Sequence, residues 1–462
     1  MIKQSIAEAV LNEALKTGGD YSELFMQDSE FNTIQTVNGH VEQASYQRKA
    51  GAGVRVLKGT RCAYAYTADT SDEAIMETAR AAAAAIDGVA EFETKSFEYR
   101  KGGAPYERRF GTVTNDERVA LLREGSEAAK AYSDEITQVV GRYLDADHRI
   151  MVCNSNGIWA EDRRPRTRIF IQSVAMKDGV AQTGAASPGR GMGFEFYRGV
   201  DMKELGRKAS KQAVTMLHAP ECPAGAVPVV IESGFGGVIL HEACVHGLEA
   251  TSVGRGNSVF CGKLGQRIAS PIVNAVDDGT LPGEWGSIAY DDEGTPSQRN
   301  LLIENGILKT YLVDLLGSRR MDGHPLTGSS RREDYTYAPT SRMTNTFFAD
   351  GKDDPEEMIR TMGEGLFAAK MGGGSVNPLT GEFNFAVSEG YWVRDGKIIS
   401  PVRGATLIGM GADVLMKIDR IGSGIVLEPG MCGSLSGSVP TNVGQPRIRV
   451  SEMTVGGKGG KL

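Results

Sequence analysis

Apolar side chains recur at helical spacing at Ile6, Val10, Leu11 and Leu15, and Gly18-Gly19 ends the stripe, which predicts a helix over residues 5–16. Alternating or β-rich runs follow at Ser22–Met26, Phe31–Val37, Val41–Arg48 and Gly51–Leu57, with a hairpin turn at Asn38-Gly39. An Ala-rich helix then runs from Ser71 to about Asp87, with Thr70 or Ser71 as its cap. Residues 91–111, with Gly102-Gly103 and Pro105, read as a linker. The order helix, strands, helix then recurs. Thr114-Asn115-Asp116 cap a helix through Tyr132, and strands at Val139–Asp147, Arg149–Asn154, Gly157–Arg163 and Arg166–Lys177 form two hairpins. Glu195–Tyr197 extends that set, and a helix from Asp201 to Leu217 closes it. No residue-level repeat accompanies the recurrence.

From Pro220 onward the pattern changes. Val227–Ile231 is a buried strand, Gly234–Ala250 a helix, and the remainder strands and long turns apart from a helix at Asp354–Ala369. The expected fold class is α+β, with N-terminal helix/antiparallel-sheet units over residues 1–100 and 101–220. A β-rich, barrel-like catalytic domain over residues 221–462 follows and carries the helix at 234–250, with the site at one mouth.

Length and composition narrow the function classes. At about 150 residues per domain, 462 residues fit two or three domains. A formal net charge of −7 offers nothing to a polyanion, so nucleic acid is not an expected partner. The first residues run directly into the amphipathic stripe, and no stretch approaches the ~18 apolar residues of a membrane span. A soluble, cytoplasmic protein with no membrane contact is expected. Six cysteines, at 62, 153, 222, 244, 261 and 432, lack paired spacing and read as reduced thiols.

The chemistry concentrates in His241-Glu242-Ala243-Cys244-Val245-His246. The zincin pattern H-E-x-x-H stacks two histidines at i and i+4 on one helix face. Here the interval is i+5, which on an ideal helix rotates the second ring roughly 140° away from the first. Both rings reach one ion only if the backbone deforms, and a one-residue π-bulge is the expected distortion. The structural alternative is a hydrogen-bonded core His241 with Glu242 and His246 in solvent. Two of the chain's six histidines within six residues favour the metal reading.

A catalytic zinc needs three protein ligands and an open position, and Glu242 can serve as general base beside it. Candidates for the third ligand are Glu249, Cys244, Cys261 and Cys432, the last in a turn at Pro429–Gly433. Glu249, three residues beyond His246, is read as an acceptor that orients a ligand histidine. The run Gly372–Val376 lacks the Lys-Ser/Thr of a phosphate loop. It reads as a tight turn, or as a strand edge where Gly373, Gly374 and Ser375 pair with a peptide backbone. Arg331-Arg332 beside Glu333-Asp334 reads as a solvated charge cluster, or as an anchor for a substrate carboxylate.

The hexapeptide with Gly247–Thr251 resembles the H-E-x-x-x-H signature of the TldD/PmbA family of zinc metallopeptidases. Asp277–Thr280, Asp291–Pro296, Ala338–Met343, Gly372–Pro378, Gly381–Phe385 and Gly430–Gly433 are similar to other segments of that family. The resemblance is dense after residue 220 and weaker before it. It implies His241, His246 and Cys432 as ligands of one Zn2+ per active subunit, with Glu242 as general base. It also implies hydrolysis, by a zinc-bound water, of unfolded or extended polypeptides or modified-peptide precursors, inside a homodimer or a heterodimer with a paralogous subunit. Val245 stands where such sequences commonly carry Gly. If that position needs a glycine backbone angle, Val245 is strained by roughly 1–3 kcal/mol, which would weaken zinc binding or disable the enzyme and support the alternative of a non-catalytic peptide-binding or scaffold subunit. A bulge that keeps every φ negative leaves Val245 harmless.

Overall fold

A computed structural model describes residues 2–104, 106–377 and 380–459; Pro105 and Pro378 lie outside the described residues. The first half is built on one eight-stranded sheet. Its main path runs Arg61–Thr67, His40–Lys58, Tyr21–Val37, Ile136–Asn154, Ile158–Lys177 and Glu98–Lys101, with Val180–Ala186 and Gly189–Arg190 added on Ile158–Lys177. The turn at Asn38-Gly39 is present, with φ of 49° and 79° as a type I′ hairpin requires.

The strands are longer than the residue pattern predicts. Ser22–Met26 and Phe31–Val37 are one strand, and so are Val41–Arg48 and Gly51–Leu57, because their ladder continues from Tyr21↔Leu57 to Val37↔His40 through the polar middle. The four middle strands likewise merge into two, and Arg61–Thr67 and Val180–Ala186 add strands that the pattern did not reveal. The linker contributes a short parallel strand, Glu98–Lys101. Glu195–Tyr197 is not a strand: it lies in a 3-10 turn, Phe194–Gly199, whose Phe194 and Tyr197 pack into the core.

Helices Gln4–Leu15 and Asp72–Ala83 pack over one end of the sheet, and Asn115–Lys130 and Met202–His218 over the other. Their ends follow local chemistry. Thr114 and Glu117 form a reciprocal capping box, and the Ser71 and Asp201 side chains accept from the first turns of their helices. Period-two alternation gives the sheet two faces. Leu24 joins the core under the first two helices, whereas Phe25 joins Ile150 and Val152 against Tyr290 and Tyr335 of the C-terminal region.

The C-terminal region contains a closed five-stranded barrel. Gly365–Val376, Gly225–Ile231, Ile448–Gly456, Thr406–Met410 and Glu382–Arg394 follow one another, and Gly365–Val376 pairs with Glu382–Arg394 to close the ring. The predicted helix Asp354–Ala369 is confined to Pro355–Arg360. Leu366-Phe367-Ala368 instead pairs in parallel with Val229–Ile231, since a short apolar run suits either state and tertiary pairing decides. A six-stranded mixed sheet lies beside the barrel and ends in the hairpin Val426–Ser434 and Gly437–Gln445.

The two halves are joined by buried ion pairs. Glu23 accepts from Arg55 at 2.7 Å and from Arg332 at 2.6 Å, and Arg55 also reaches Glu293 at 2.6 Å. Arg332, expected in a solvated cluster, is 5% exposed, and Arg331 is 2% exposed. The sequence shows four charges in a row but not the sheet that covers them.

Candidate metal centre

The apolar stretch Val238-Ile239-Leu240 drives a short helix, Val238–Ala243, into the core between the barrel and the mixed sheet. Gly411 makes that seat: a Cβ there would stand 2.0 Å from the Ala243 carbonyl oxygen. The predicted distortion is present but is not a π-bulge. The helix stops at Cys244 (φ −130°, ψ −62°), and the chain re-forms as a 3-10 turn, Val245–Leu248, before Glu249 turns extended. Breaking the helix swings the second ring back, and the imidazoles of His241 and His246 meet edge to face at 4.9 Å.

Val245 is not among the residues with positive φ, and it is fully buried in the C-terminal core. The feared glycine-only angle is therefore absent. Val245→Gly should cost about 2–4 kcal/mol through the lost packing and added backbone freedom. Denaturant unfolding measures this, and a stability gain would show instead that valine is strained.

Cys432 completes the cluster from far along the chain. It lies on the strand Val426–Ser434 rather than in a turn. Its Sγ is 3.2 Å from His241 Nε2 and 3.2 Å from His246 Nε2. The three donor atoms lie within 4.8 Å of one another. Tetrahedral zinc with Zn–N of about 2.0 Å and Zn–S of about 2.3 Å separates its ligands by about 3.4–3.6 Å, so modest side-chain shifts accommodate the ion. The donor set itself, two imidazoles and a thiol, suits zinc. Burial opposes ionisation of the Cys432 thiol, but the neighbouring His241 and His246 outweigh it and bring the pKa down to about 4.

The flanking carboxylates differ. Glu242 is 28% exposed, with Oε2 3.7 Å from His246 Nε2, on the solvent side of the donors. Glu249 is buried, with Oε1 3.3 Å from His246 Nδ1, where it can fix that ring. Burial disfavours a charged His246, yet Glu249 and Cys432 raise its pKa well above the usual range. Cys244 is buried, its thiol pushed up to about 12, and Cys261 donates toward the Val253 carbonyl; neither joins the cluster.

One residue without a role in the sequence reading matters here. Arg342, fully buried, donates to the Cys432 carbonyl, to that of Gly437 at 2.8 Å and to Ser436 Oγ at 3.1 Å, which clamps the hairpin bearing the thiol. Its signal was the segment Ala338–Met343. The acidic segments are structural: Asp277 accepts from Thr344 and Thr346, and Asp291 from the amides of Glu293, Thr295 and Ser330.

Comparison with known proteins shows the family. Sequence models of the PmbA/TldA metallopeptidase family match residues 22–86 (domain 1), 108–217 (central domain) and 224–457 (C-terminal domain). This chain belongs to the PmbA/TldD metallopeptidase family. A metalloprotease TldD homologue of Haemophilus influenzae is 34% identical, covering 95% of this chain and 93% of its own. A zinc metalloprotease TldD homologue of Saccharolobus solfataricus is 30% identical over 56% of this chain and 57% of its own. In fold, TldE from Thermococcus kodakarensis is similar with a TM-score of 0.78 at 17% identity, covering 97% of this chain and 99% of that one. Among the described residues no helix is long and apolar enough to cross a membrane.

Proposed function

We propose that this metallopeptidase hydrolyses peptide bonds of extended or unfolded polypeptides, or of modified-peptide precursors, with one zinc ion held by His241, His246 and Cys432. The observation that carries the reading is the convergence of those three donors beside the Glu242 carboxylate. The name of the Saccharolobus relative supports zinc as the metal. Zinc, when bound, supplies Lewis acidity toward a water and the scissile carbonyl.

The chain's own groups do the rest. Glu242 takes a proton from the attacking water and delivers it to the leaving amine. Glu249 keeps the His246 Nε2 lone pair aimed at the cluster by holding the opposite nitrogen. Arg342 fixes the strand of Cys432. For the substrate, Gly374–Val376 pairs with Phe383–Phe385 on one side, whereas the parallel partner on the other side reaches only Leu366–Ala368. Among the described residues, the second edge at Gly373, Gly374 and Ser375 is open to an extended peptide backbone. Gly374 itself is required by the hairpin, because a Cβ there would stand 2.1 Å from the Asn384 carbonyl oxygen. Six free cysteines suit a cytoplasmic setting, and a dimer with a second copy or a paralogous subunit would enclose the site. The scaffold reading loses its support with the relaxed Val245 backbone.

Cleavage of an unfolded casein, assayed with the chain alone and with any co-purifying subunit, tests the proposal. Chelation should abolish cleavage, and one equivalent of zinc should restore it. Cleavage that persists in metal-free protein would contradict the reading.

A further inference from the structure

The face of the N-terminal sheet turned toward the C-terminal region carries positive charge that its neighbours do not balance. Along Ile158–Lys177, the period of two puts Arg164, Arg166 and Arg168 on one face. They line a cavity of about 350 Å3, with Arg331 and Arg332 contributed by the C-terminal region and Lys49 by the strand His40–Lys58 of the same sheet. Six cationic side chains thus face three carboxylates, Asp292, Glu333 and Asp334.

Those carboxylates do not serve every cation. Arg164 pairs with Asp162 and Asp292 at 2.9 Å each, Lys49 with Asp334 at 2.6 Å, and Arg332 with Glu23 at 2.6 Å. Arg166, 4% exposed, donates to the carbonyls of Trp285 at 2.8 Å and Ser287 at 3.3 Å. Arg331, 2% exposed, donates to the Met343 carbonyl at 2.6 Å, and the half-buried Arg168 to Ser187 Oγ at 2.7 Å. Among the described residues none of these three makes an ion pair.

Burial, then Arg331 and Arg164, depresses the Arg166 pKa well below its usual value; burial and Arg164 bring Arg331 to about 10. His148 adds no charge, since burial, then Arg166, Arg164 and Lys49, bring its pKa down to about 3. Buried cations without a counter-charge are costly. Beside the arginines the same sheet face presents Phe25, Phe31, Leu144 and Ile150, and Trp285 adds an apolar side from the C-terminal region. The mouth is open at Met431, 54% exposed, and at the exposed Glu333.

We propose that this cavity binds a carboxylate carried on an aromatic or large apolar body, with Arg166 and Arg331 as its counter-cations. A peptide C-terminus ending in a hydrophobic residue and a free aromatic acid share this chemistry. The two oxygens of one carboxylate can accept from the two buried guanidiniums of Arg166 and Arg331, one each, and the apolar side chains beside them suit a hydrophobic body rather than the further oxygens of a phosphate. The site is separate from the metal centre. Met431 lines the cavity while its neighbour Cys432 points to the opposite face of the hairpin, into the core.

Calorimetric titration of the full chain with N-acetylphenylalanine and with its amide tests the proposal without any variant. The acid should bind and the amide should bind at least tenfold more weakly; equal binding, or no binding of the acid, would overturn it. Because a carboxylate also ligates zinc, the titration is repeated on metal-stripped protein, and binding must survive; its loss would place the ligand at the metal centre and overturn the proposal. Arg166→Gln and Arg331→Gln should each weaken the acid at least tenfold with unchanged zinc content, and unchanged affinity in both would overturn it. Inorganic phosphate that binds as tightly as the acid would also overturn it. 3-Phenylpropionate separates the two sources: weaker binding than N-acetylphenylalanine supports a peptide terminus, and equal binding supports a free aromatic acid.

Discussion

Glu242→Gln should lower peptide cleavage by about 10²–10⁴-fold while the protein keeps its zinc. The substitution preserves shape and hydrogen-bonding capacity but removes the partly exposed carboxylate that is proposed to accept the proton beside the donor cluster. Its carboxylate is 28% exposed and 3.7 Å from His246 Nε2, so it borders the cluster without being one of the three converging donors. Glu249 cannot replace it, because that carboxylate is buried behind the His246 ring. Steady-state cleavage with parallel metal analysis makes the measurement. Unchanged turnover would remove Glu242 from the chemistry, and zinc loss in step with activity would make it a ligand instead.

Glu23→Ala should cost about 3–5 kcal/mol of stability, the largest effect expected away from the metal. Glu23 is fully buried and accepts from Arg55, Arg332 and the Tyr21 hydroxyl. Without it Arg332 loses its carboxylate partner in the interior, and Arg55 retains only Glu293. An uncompensated buried guanidinium, rather than a lost attraction, is what destabilises. Arg332 and Glu293 belong to the C-terminal region while Glu23 and Arg55 belong to the sheet, so the loss also loosens the contact between them. Urea denaturation measures it, and a loss below about 1 kcal/mol, the size of an exposed ion pair, would show that the network is solvated.

The same network explains what the residue pattern conceals. The N-terminal helices are legible because their signals are local: a stripe of apolar positions and a Thr114–Glu117 capping box. The long strands are not, because Asp28, Glu30, Arg48 and Arg164 look like breaks. In the structure the ladders run straight through them, and Arg164 is neutralised by Asp162 on its own strand and by Asp292 of the other half. Helix and strand compete evenly for Leu366-Phe367-Ala368 until Val229–Ile231 lies alongside, a contact more than a hundred residues away in sequence.

The metal cluster divides in the same way. Two histidines and a glutamate in one hexapeptide announce the chemistry, and the i+5 interval requires a distortion. The form of that distortion does not follow from spacing. It depends on Gly411 letting the helix end at Ala243 press against another segment. The third donor is equally remote, separated from His246 by 186 residues, and only family resemblance singled out Cys432 among the candidates. Arg342, which holds the Cys432 strand, lies in the family-like segment Ala338–Met343, but no local pattern ties it to Cys432.

X-ray absorption at the zinc edge tests the central claim most directly, because it counts the ligand types of the bound metal. Protein loaded with one equivalent of zinc should show a single sulfur at about 2.3 Å and two imidazole nitrogens at about 2.0–2.1 Å, with the sulfur lost in Cys432→Ser. A zinc shell without sulfur in the unsubstituted protein, or a chain that binds no zinc, would contradict the account.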